Sequence, residues 1–61
     1  MKVLDLISTL DNGATKLIIY EPNTGEMHFA GIWFNELKQD VLSKTVKHVK
    51  IDRYTMRVEV E

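Results

Sequence analysis

The sequence predicts an α+β fold, with a single four-stranded, mainly antiparallel sheet and two helices in the order α-β-β-α-β-β. Three observations lead to this prediction. The first residues repeat apolar side chains at helical spacing, four later segments are rich in β-branched and aromatic residues, and a short helical segment separates those four into two pairs. The chain has 61 residues, so we expect one domain over residues 1–61.

Residues 2–11 are predicted to form the first helix. Val3, Leu6, Ile7 and Leu10 lie at positions i, i+3, i+4 and i+7, which is one face of a helix. The following Asp-Asn-Gly sequence favours the left-handed conformation of a helix C-cap, so the helix is expected to stop there.

A β-hairpin is predicted next, with strands at 15–21 and 26–34 around a Pro-Asn-Thr-Gly turn. Strict alternation would place Met27 and Phe29 on one face and His28 on the other. The runs 17–20 and 29–34 are apolar on both faces of a strand, so each needs cover on both sides.

The second half of the chain is predicted to contain a short helix and a second hairpin. Asn35 suits an N-cap, and the apolar spacing after it indicates a helix over 36–43. Strands are predicted at 45–52 and 55–61, the latter alternating between apolar and charged residues. The link between them lacks an Asn-Gly signal, so the pattern leaves its register open.

Size and composition narrow the protein's class. The chain has no cysteine, which excludes disulfides and fits a reducing, cytoplasmic location. Small domains commonly need disulfides, a structural metal or oligomerisation to be stable. Since the first is excluded and two histidines alone cannot make a structural zinc site, we expect a homodimer. No apolar run is long enough to span a membrane, and we expect no membrane association.

The residues give little support to an enzyme. No nucleophile signature or Gly-rich phosphate loop is present. His28 and His48 are interpreted as polar strand residues, and Glu21 and Glu26 as solvated acids at strand ends. A domain this small is not expected to hold a cavity of roughly 300–1,000 Å³, the usual size of a ligand site. We therefore expect no catalytic residues, no metal ligands and no cofactor.

Charge is distributed unevenly along the chain. Residues 1–37 have two basic and five acidic residues, a net charge of −3, whereas residues 38–57 have six basic and two acidic residues, a net charge of +4. The basic segment 44–57 could contact a phosphate backbone. Lysines on edge strands also deter aggregation, which is the commoner reason for such a pattern. The residues that would contact a partner here are Lys47, Lys50, Arg53 and Arg57.

A second candidate contact region is the apolar segment Ile32, Trp33 and Phe34. Neighbouring residues of a strand point to opposite faces, so Trp33 and Phe34 cannot both face one core. Aromatic side chains left without cover are typical anchors of protein interfaces. Two interpretations stay open: these three residues are core residues under the two helices, or a partner binds at them.

The opening sequence MKVLDLISTL, followed by a loop and KLIIY, resembles small uncharacterised proteins of phages and prophages of Gram-positive bacteria. That resemblance implies an accessory role in the phage, and with it a location in the cytoplasm of the host cell. Some proteins of this kind are anti-CRISPR or other anti-defence inhibitors.

The leading hypothesis is therefore a small, non-enzymatic, phage-type interaction protein. It would bind and block a protein target, such as a host defence complex, in the manner of an anti-CRISPR inhibitor. The alternatives are a small nucleic-acid-binding protein that uses segment 44–57, and a dimer that sequesters a small nucleotide signal.

Overall fold

The computed structural model describes residues 1–10, 15–32, 34 and 37–61. The predicted element order is confirmed in this part of the chain. No helix among the described residues is long and apolar enough to cross a membrane. The elements are α1 (Val3–Ile7), β1 (Lys16–Glu21), β2 (Glu26–Gly31), α2 (Gln39–Leu42), β3 (Val46–Asp52) and β4 (Thr55–Val60).

The four strands form one mixed sheet in the order β2-β1-β4-β3. The two hairpins are antiparallel, but the central strands β1 and β4 are parallel, with Ile19 opposite Val58. The prediction of a mainly antiparallel sheet is therefore wrong. The connection after β2 passes through α2 and returns the chain to the other end of the sheet, so β3 runs like β2 and β4 runs like β1.

The core lies between one face of this sheet and the two helices. Both central strands contribute side chains with no exposed surface, such as Leu17 from β1 and Val58 from β4. Val3 of α1 and Val41 of α2 pack into the same cluster from the helical side. Apolar alternation in β1 and β4 therefore places the buried positions on a single face.

Helix α1 is shorter than predicted and ends at Ile7. The hydroxyl groups of Ser8 and Thr9 donate hydrogen bonds to the backbone carbonyls of Asp5 and Leu6, at 2.8 and 2.7 Å. Such local bonds offer the backbone an alternative to further helical turns. At the other end, the Asp5 carboxylate accepts a hydrogen bond from the backbone N–H of Lys2, as in a capping box.

Helix α2 is also shorter than the predicted range 36–43, because Lys38 is extended and acts as its N-cap. The expected cap residue Asn35 lies outside the described residues. Leu37 precedes the helix, yet it still packs against the core as its apolar character predicts. Two short helices thus cover the sheet with few side chains.

Strand β2 departs most from the predicted pattern. It ends at Gly31, so Phe34 is not a strand residue, and it contains a bulge where His28 has no partner on β1. Met27 pairs with Tyr20, whereas Phe29 pairs with Ile19. Met27 and Phe29 consequently lie on opposite faces, contrary to the strict alternation, because a bulge shifts the side-chain period by one residue.

The second hairpin, whose register the sequence left open, closes with Asp52 opposite Thr55. Arg53 and Tyr54 form its two-residue turn, and Arg53 has a positive φ of 54°. A positive φ at the first central residue suits the right-handed twist of a hairpin.

Candidate functional site

The sheet face away from the helices, which we call the open face, is the first candidate surface. Its apolar part comes from the first hairpin, where Ile18 pairs with Ala30 and Tyr20 pairs with Met27. Ile18 and Tyr20 are half-buried, Ala30 is exposed and the exposed fraction of Met27 is 57%. Both helices contribute to the core on the other face of the sheet, through Val3 of α1 and Val41 of α2.

Cations border this apolar part on β4 and β3. Arg57 pairs with Lys50 across the second hairpin and is also the neighbour of Ile18 on β1. Its guanidinium carbon lies 5.4 Å from the centroid of the Tyr20 ring, a cation–π contact. Like charges directly opposite one another destabilise a hairpin, and no described carboxylate forms an ion pair with Lys50 or Arg57. This row of cations therefore favours an external anionic group.

Acidic residues share the open face with these cations. Glu59 pairs with His48 on β3 and with Tyr20 on β1, and Asp52 lies at the end of β3. The face therefore carries both signs of charge around an apolar centre, which is the usual composition of a protein-binding surface rather than a strongly basic one.

The contact residues predicted from the sequence form two groups: the basic residues of the second hairpin, and the apolar segment that follows β2 in the sequence. Lys47 is exposed at a bulge of the edge strand β3, and Arg53 is exposed in the hairpin turn. Ile32 is 41% exposed just after β2, but Phe34 is only 5% exposed and packs in the core. Trp33 lies outside the described residues. Phe34 thus covers the sheet of its own chain, because the chain leaves β2 before reaching it.

One end of the sheet collects several exposed apolar residues. Ile32 follows the end of β2, and the β3–β4 turn lies at the same end, where the backbone N–H of Lys16 donates a hydrogen bond to the carbonyl of Tyr54. Tyr54 is 81% exposed and Ile51 is 71% exposed. Ile51 pairs with the core residue Met56, so it lies on the helical side of the sheet, and this end has exposed apolar residues beyond those of the open face.

A second candidate site surrounds the bulge residue His28 on the helical side of the sheet. The ring Nε2 of His28 lies 2.9 Å from Oε1 of Glu21, and its Nδ1 lies 3.4 Å from Oε2 of Glu26. The Nζ atom of Lys44, just after α2, is 3.4 Å from the same Glu21 oxygen. One imidazole ring is thus held between two carboxylates.

Glu21 is the most enclosed acid of this cluster, with a side chain only 14% exposed. The hydrogen bond from His28 is the main cause that lowers the pKa of the Glu21 carboxyl below its ordinary value of 4.5, and Lys44 lowers it further. Partial desolvation opposes these effects without outweighing them. Glu21 is therefore not the solvated strand-end acid that the sequence predicts.

A groove of about 300 Å³ runs beside His28, between β2 and the α2 region. Its walls include Glu26 and Phe29 from β2 and Asp40 and Val41 from α2. The groove is as large as the smallest ligand sites, so the argument that the domain is too small for one is wrong. It exists because the short α2 leaves the edge strand β2 partly uncovered.

The His28 cluster is a candidate site that was not predicted from the sequence. Its signal is present, since acids flank the turn at 21 and 26 and the histidine follows two residues later. Strict alternation already puts Glu26 and His28 on one face of the strand, because they are two residues apart. The contacts of His28 with Glu21 on β1, and of Glu21 with Lys44 after α2, join separate segments of the chain, so alternation within β2 does not predict them.

Comparison of the chain with protein-family models, with curated proteins and with solved structures gave no match.

Proposed function

We propose that this protein is a small binding protein that attaches to a protein target through the open face of its sheet and blocks that target. The observation that supports this most directly is the uncovered apolar group Ile18, Tyr20, Met27 and Ala30 beside the Lys50–Arg57 row. A fitting partner has an apolar centre that covers Tyr20 and an acidic rim that meets Arg57.

The nature of the target belongs to the same proposal. The resemblance of the first 20 residues to small phage proteins favours a bacterial defence protein, and hence an inhibitor of the anti-CRISPR type. Exposed Ile32 and Arg53, at the end of the sheet, extend the contact surface beyond the open face. The apolar centre would supply most of the affinity, and the cations would supply orientation and association rate.

A capture experiment tests this proposal. A photo-reactive residue at Ala30, on the open face, should cross-link a specific bacterial protein, whereas the same residue at Lys38, on the helical side, should not. Arg57→Glu should reduce the capture at least tenfold, since it places an acid where an acidic rim is expected. The matched control Lys38→Glu makes the same charge change elsewhere and should leave capture unchanged. Equal loss in both variants would reject the open face as the contact surface.

A homodimer is the rival occupant of the open face. Because the face carries Lys50 and Arg57 as well as Asp52 and Glu59, a two-fold axis through its centre could pair opposite charges. Light scattering during size-exclusion chromatography decides this. If the protein is a dimer, and Arg57→Glu dissociates it whereas Lys38→Glu leaves it intact, the open face is the interface with a second copy of the chain.

Single-stranded nucleic acid is the second candidate partner, favoured by the contact between Arg57 and the Tyr20 ring. A base could stack near Tyr20 while phosphates meet Lys50, Arg57 and Lys16. Three phosphate contacts predict that the logarithm of the association constant falls with log[salt] with a slope of about −2 for a single strand. Anisotropy with labelled oligonucleotides measures this slope, and no binding at low salt would dismiss this candidate.

A further inference from the structure

We propose that His28 and Glu26 form a binding site for a divalent transition-metal ion, of which zinc is the best fit, at the mouth of the groove beside β2. This inference is independent of the open face, which lies on the other side of the sheet. The three side chains that carry it are Glu21, Glu26 and His28, whose donor atoms all lie within 4.8 Å of one another.

The two carboxylates around His28 have different roles. The Nε2–Oε1 distance of 2.9 Å to Glu21 is that of a hydrogen bond from a ring N–H. Glu21 is only 14% exposed and also contacts Lys44 at 3.4 Å, which neutralises it. Glu21 is therefore the orienting carboxylate, and in the singly protonated form of the ring its hydrogen bond places the proton on Nε2.

That tautomer turns an unprotonated nitrogen toward Glu26. A neutral imidazole has one N–H, so Nδ1 then presents a lone pair to a carboxylate oxygen 3.4 Å away. Two electron-rich atoms facing each other repel unless a cation lies between them. The same distance suits a shared metal ion, because Zn–N and Zn–O bonds of about 2.0–2.2 Å in a tetrahedron place neighbouring donors about 3.3 Å apart.

The surroundings leave room for the rest of a coordination shell. Glu26 is 64% exposed at its side chain, and both it and His28 line the groove of about 300 Å³. Asp40 lines the opposite wall from α2. Water or a further carboxylate could occupy the remaining positions. One imidazole with carboxylates suits zinc and similar ions, whereas magnesium and calcium prefer oxygen donors alone.

Titration of the intact chain with zinc chloride, followed by calorimetry, tests the proposal. We expect saturable binding of one ion per chain, with magnesium chloride giving at least tenfold weaker binding. Glu26→Gln changes an exposed side chain and should weaken zinc binding at least tenfold without unfolding the protein. Glu21→Gln should weaken it about 10- to 100-fold, as loss of an orienting carboxylate does elsewhere. His28→Gln should abolish it, with circular dichroism confirming the fold.

His48→Gln is the matched control, since His48 also faces an acid, Glu59, but on the open face and without a second carboxylate. It should change the zinc dissociation constant less than twofold, and so should Arg57→Glu. Nitrogen NMR of the imidazole rings provides a direct readout, because zinc should shift Nδ1 of His28 and leave Nε2 protonated.

Three results would overturn the proposal. One is the absence of saturable zinc binding at millimolar concentration. Another is binding that His48→Gln removes and Glu26→Gln does not. The third is a His28 ring that carries protons on both nitrogens at pH 7.5 and keeps them when zinc is added, which would make a proton the only cation between His28 and Glu26.

Discussion

Arg53 adopts a backbone conformation that costs free energy for any residue with a Cβ atom. Its φ of 54° lies in the left-handed region, where the penalty is about 1–2 kcal/mol. Arg53→Gly should therefore raise the free energy of unfolding by about 0.5–1 kcal/mol, after the greater flexibility of glycine in the unfolded chain is subtracted. Urea denaturation measures this change.

Tyr54→Gly is the control for that substitution, because Tyr54 is 81% exposed and Arg53 is the only described non-glycine residue with a positive φ. It removes little packing and relieves no strain, so it should leave the protein equally or less stable. A gain from Tyr54→Gly as large as that from Arg53→Gly would contradict the conformational explanation.

Glu21 makes the stability of the protein depend on pH in the acidic range. Its pKa is lowered in the folded state, chiefly by the hydrogen bond from His28, so the unfolded state binds the proton more tightly. The resulting stabilisation is complete above the ordinary pKa of 4.5 and is lost as pH falls through the lower folded value. Glu21→Gln should remove this part of the pH dependence.

Thermal unfolding between pH 6 and pH 3, with a chelator present to exclude metal, checks the Glu21 prediction. The melting temperature of the unsubstituted protein should fall more steeply below pH 4.5 than that of Glu21→Gln. Glu26→Gln is the matched comparison on a mostly exposed acid and should leave the acid slope close to that of the unsubstituted protein. If the melting temperatures of all three proteins fell in parallel with pH, Glu21 would not contribute to the acid dependence of stability.

At the scale of single elements, burial in strand β1 changes from one residue to the next, because neighbouring side chains point to opposite faces of the sheet. Ile19 has no exposed surface and pairs with the equally buried Val58, whereas its neighbour Ile18 lies on the open face and is half-buried. Ile19→Ala should cost about 2–5 kcal/mol. That is about half of the roughly 3–9 kcal/mol available to a chain of this length, so the variant should unfold at a much lower denaturant concentration.

Two related substitutions make the β1 prediction quantitative. Ile18→Ala should cost less than about 1.5 kcal/mol, because only part of that side chain is withdrawn from water. Ile19→Val keeps most of the buried volume and should cost about 0.5–1.5 kcal/mol. Denaturant titrations followed by circular dichroism would contradict the face assignment if Ile18→Ala proved as harmful as Ile19→Ala.

The strands were predictable because their patterns are local. The strands predicted at 15–21, 45–52 and 55–61 lie within about one residue of the observed bounds of β1, β3 and β4, and the Pro-Asn-Thr-Gly turn fits the positive φ of 74° at Gly25. The double-sided apolar run at 17–20 is consistent with the central position of β1 in the sheet. Each of these inferences depends only on residues within a few positions of one another.

The features that the sequence did not predict depend on contacts between distant segments. Side-chain alternation is the same for a strand in a parallel or an antiparallel pair, so it could not place β4 beside β1. The β2 bulge, which places Phe29 on the core side of the sheet, and the early end of β2, after which Phe34 is buried, are likewise not visible in the local pattern of the sequence.

At the scale of the whole molecule, the two hairpins share one hydrophobic core. Their central strands, β1 from the first hairpin and β4 from the second, also pair with each other. The ladder between β1 and β4 links them, and Val3 and Val41 span both halves from the helical side. The N-terminus is also attached to the second hairpin, because the backbone N–H of Val46 donates a hydrogen bond of 2.8 Å to the carbonyl of Met1. Neither hairpin buries a complete apolar face by itself.

We therefore expect the two hairpins to unfold together, in one cooperative step. Two-stranded hairpins are marginally stable in water, and here the central parallel pair holds the residues with no exposed surface. Native-state hydrogen exchange should give protected amides of β1 and β4 the same opening free energy, equal to that from denaturant titration, with lower values along the edge strands β2 and β3. Val58→Ala should lower the β1 and β4 values by the same amount. If β1 amides kept their protection while β4 amides lost theirs, the hairpins would be separate cooperative units, and the central ladder would not couple them.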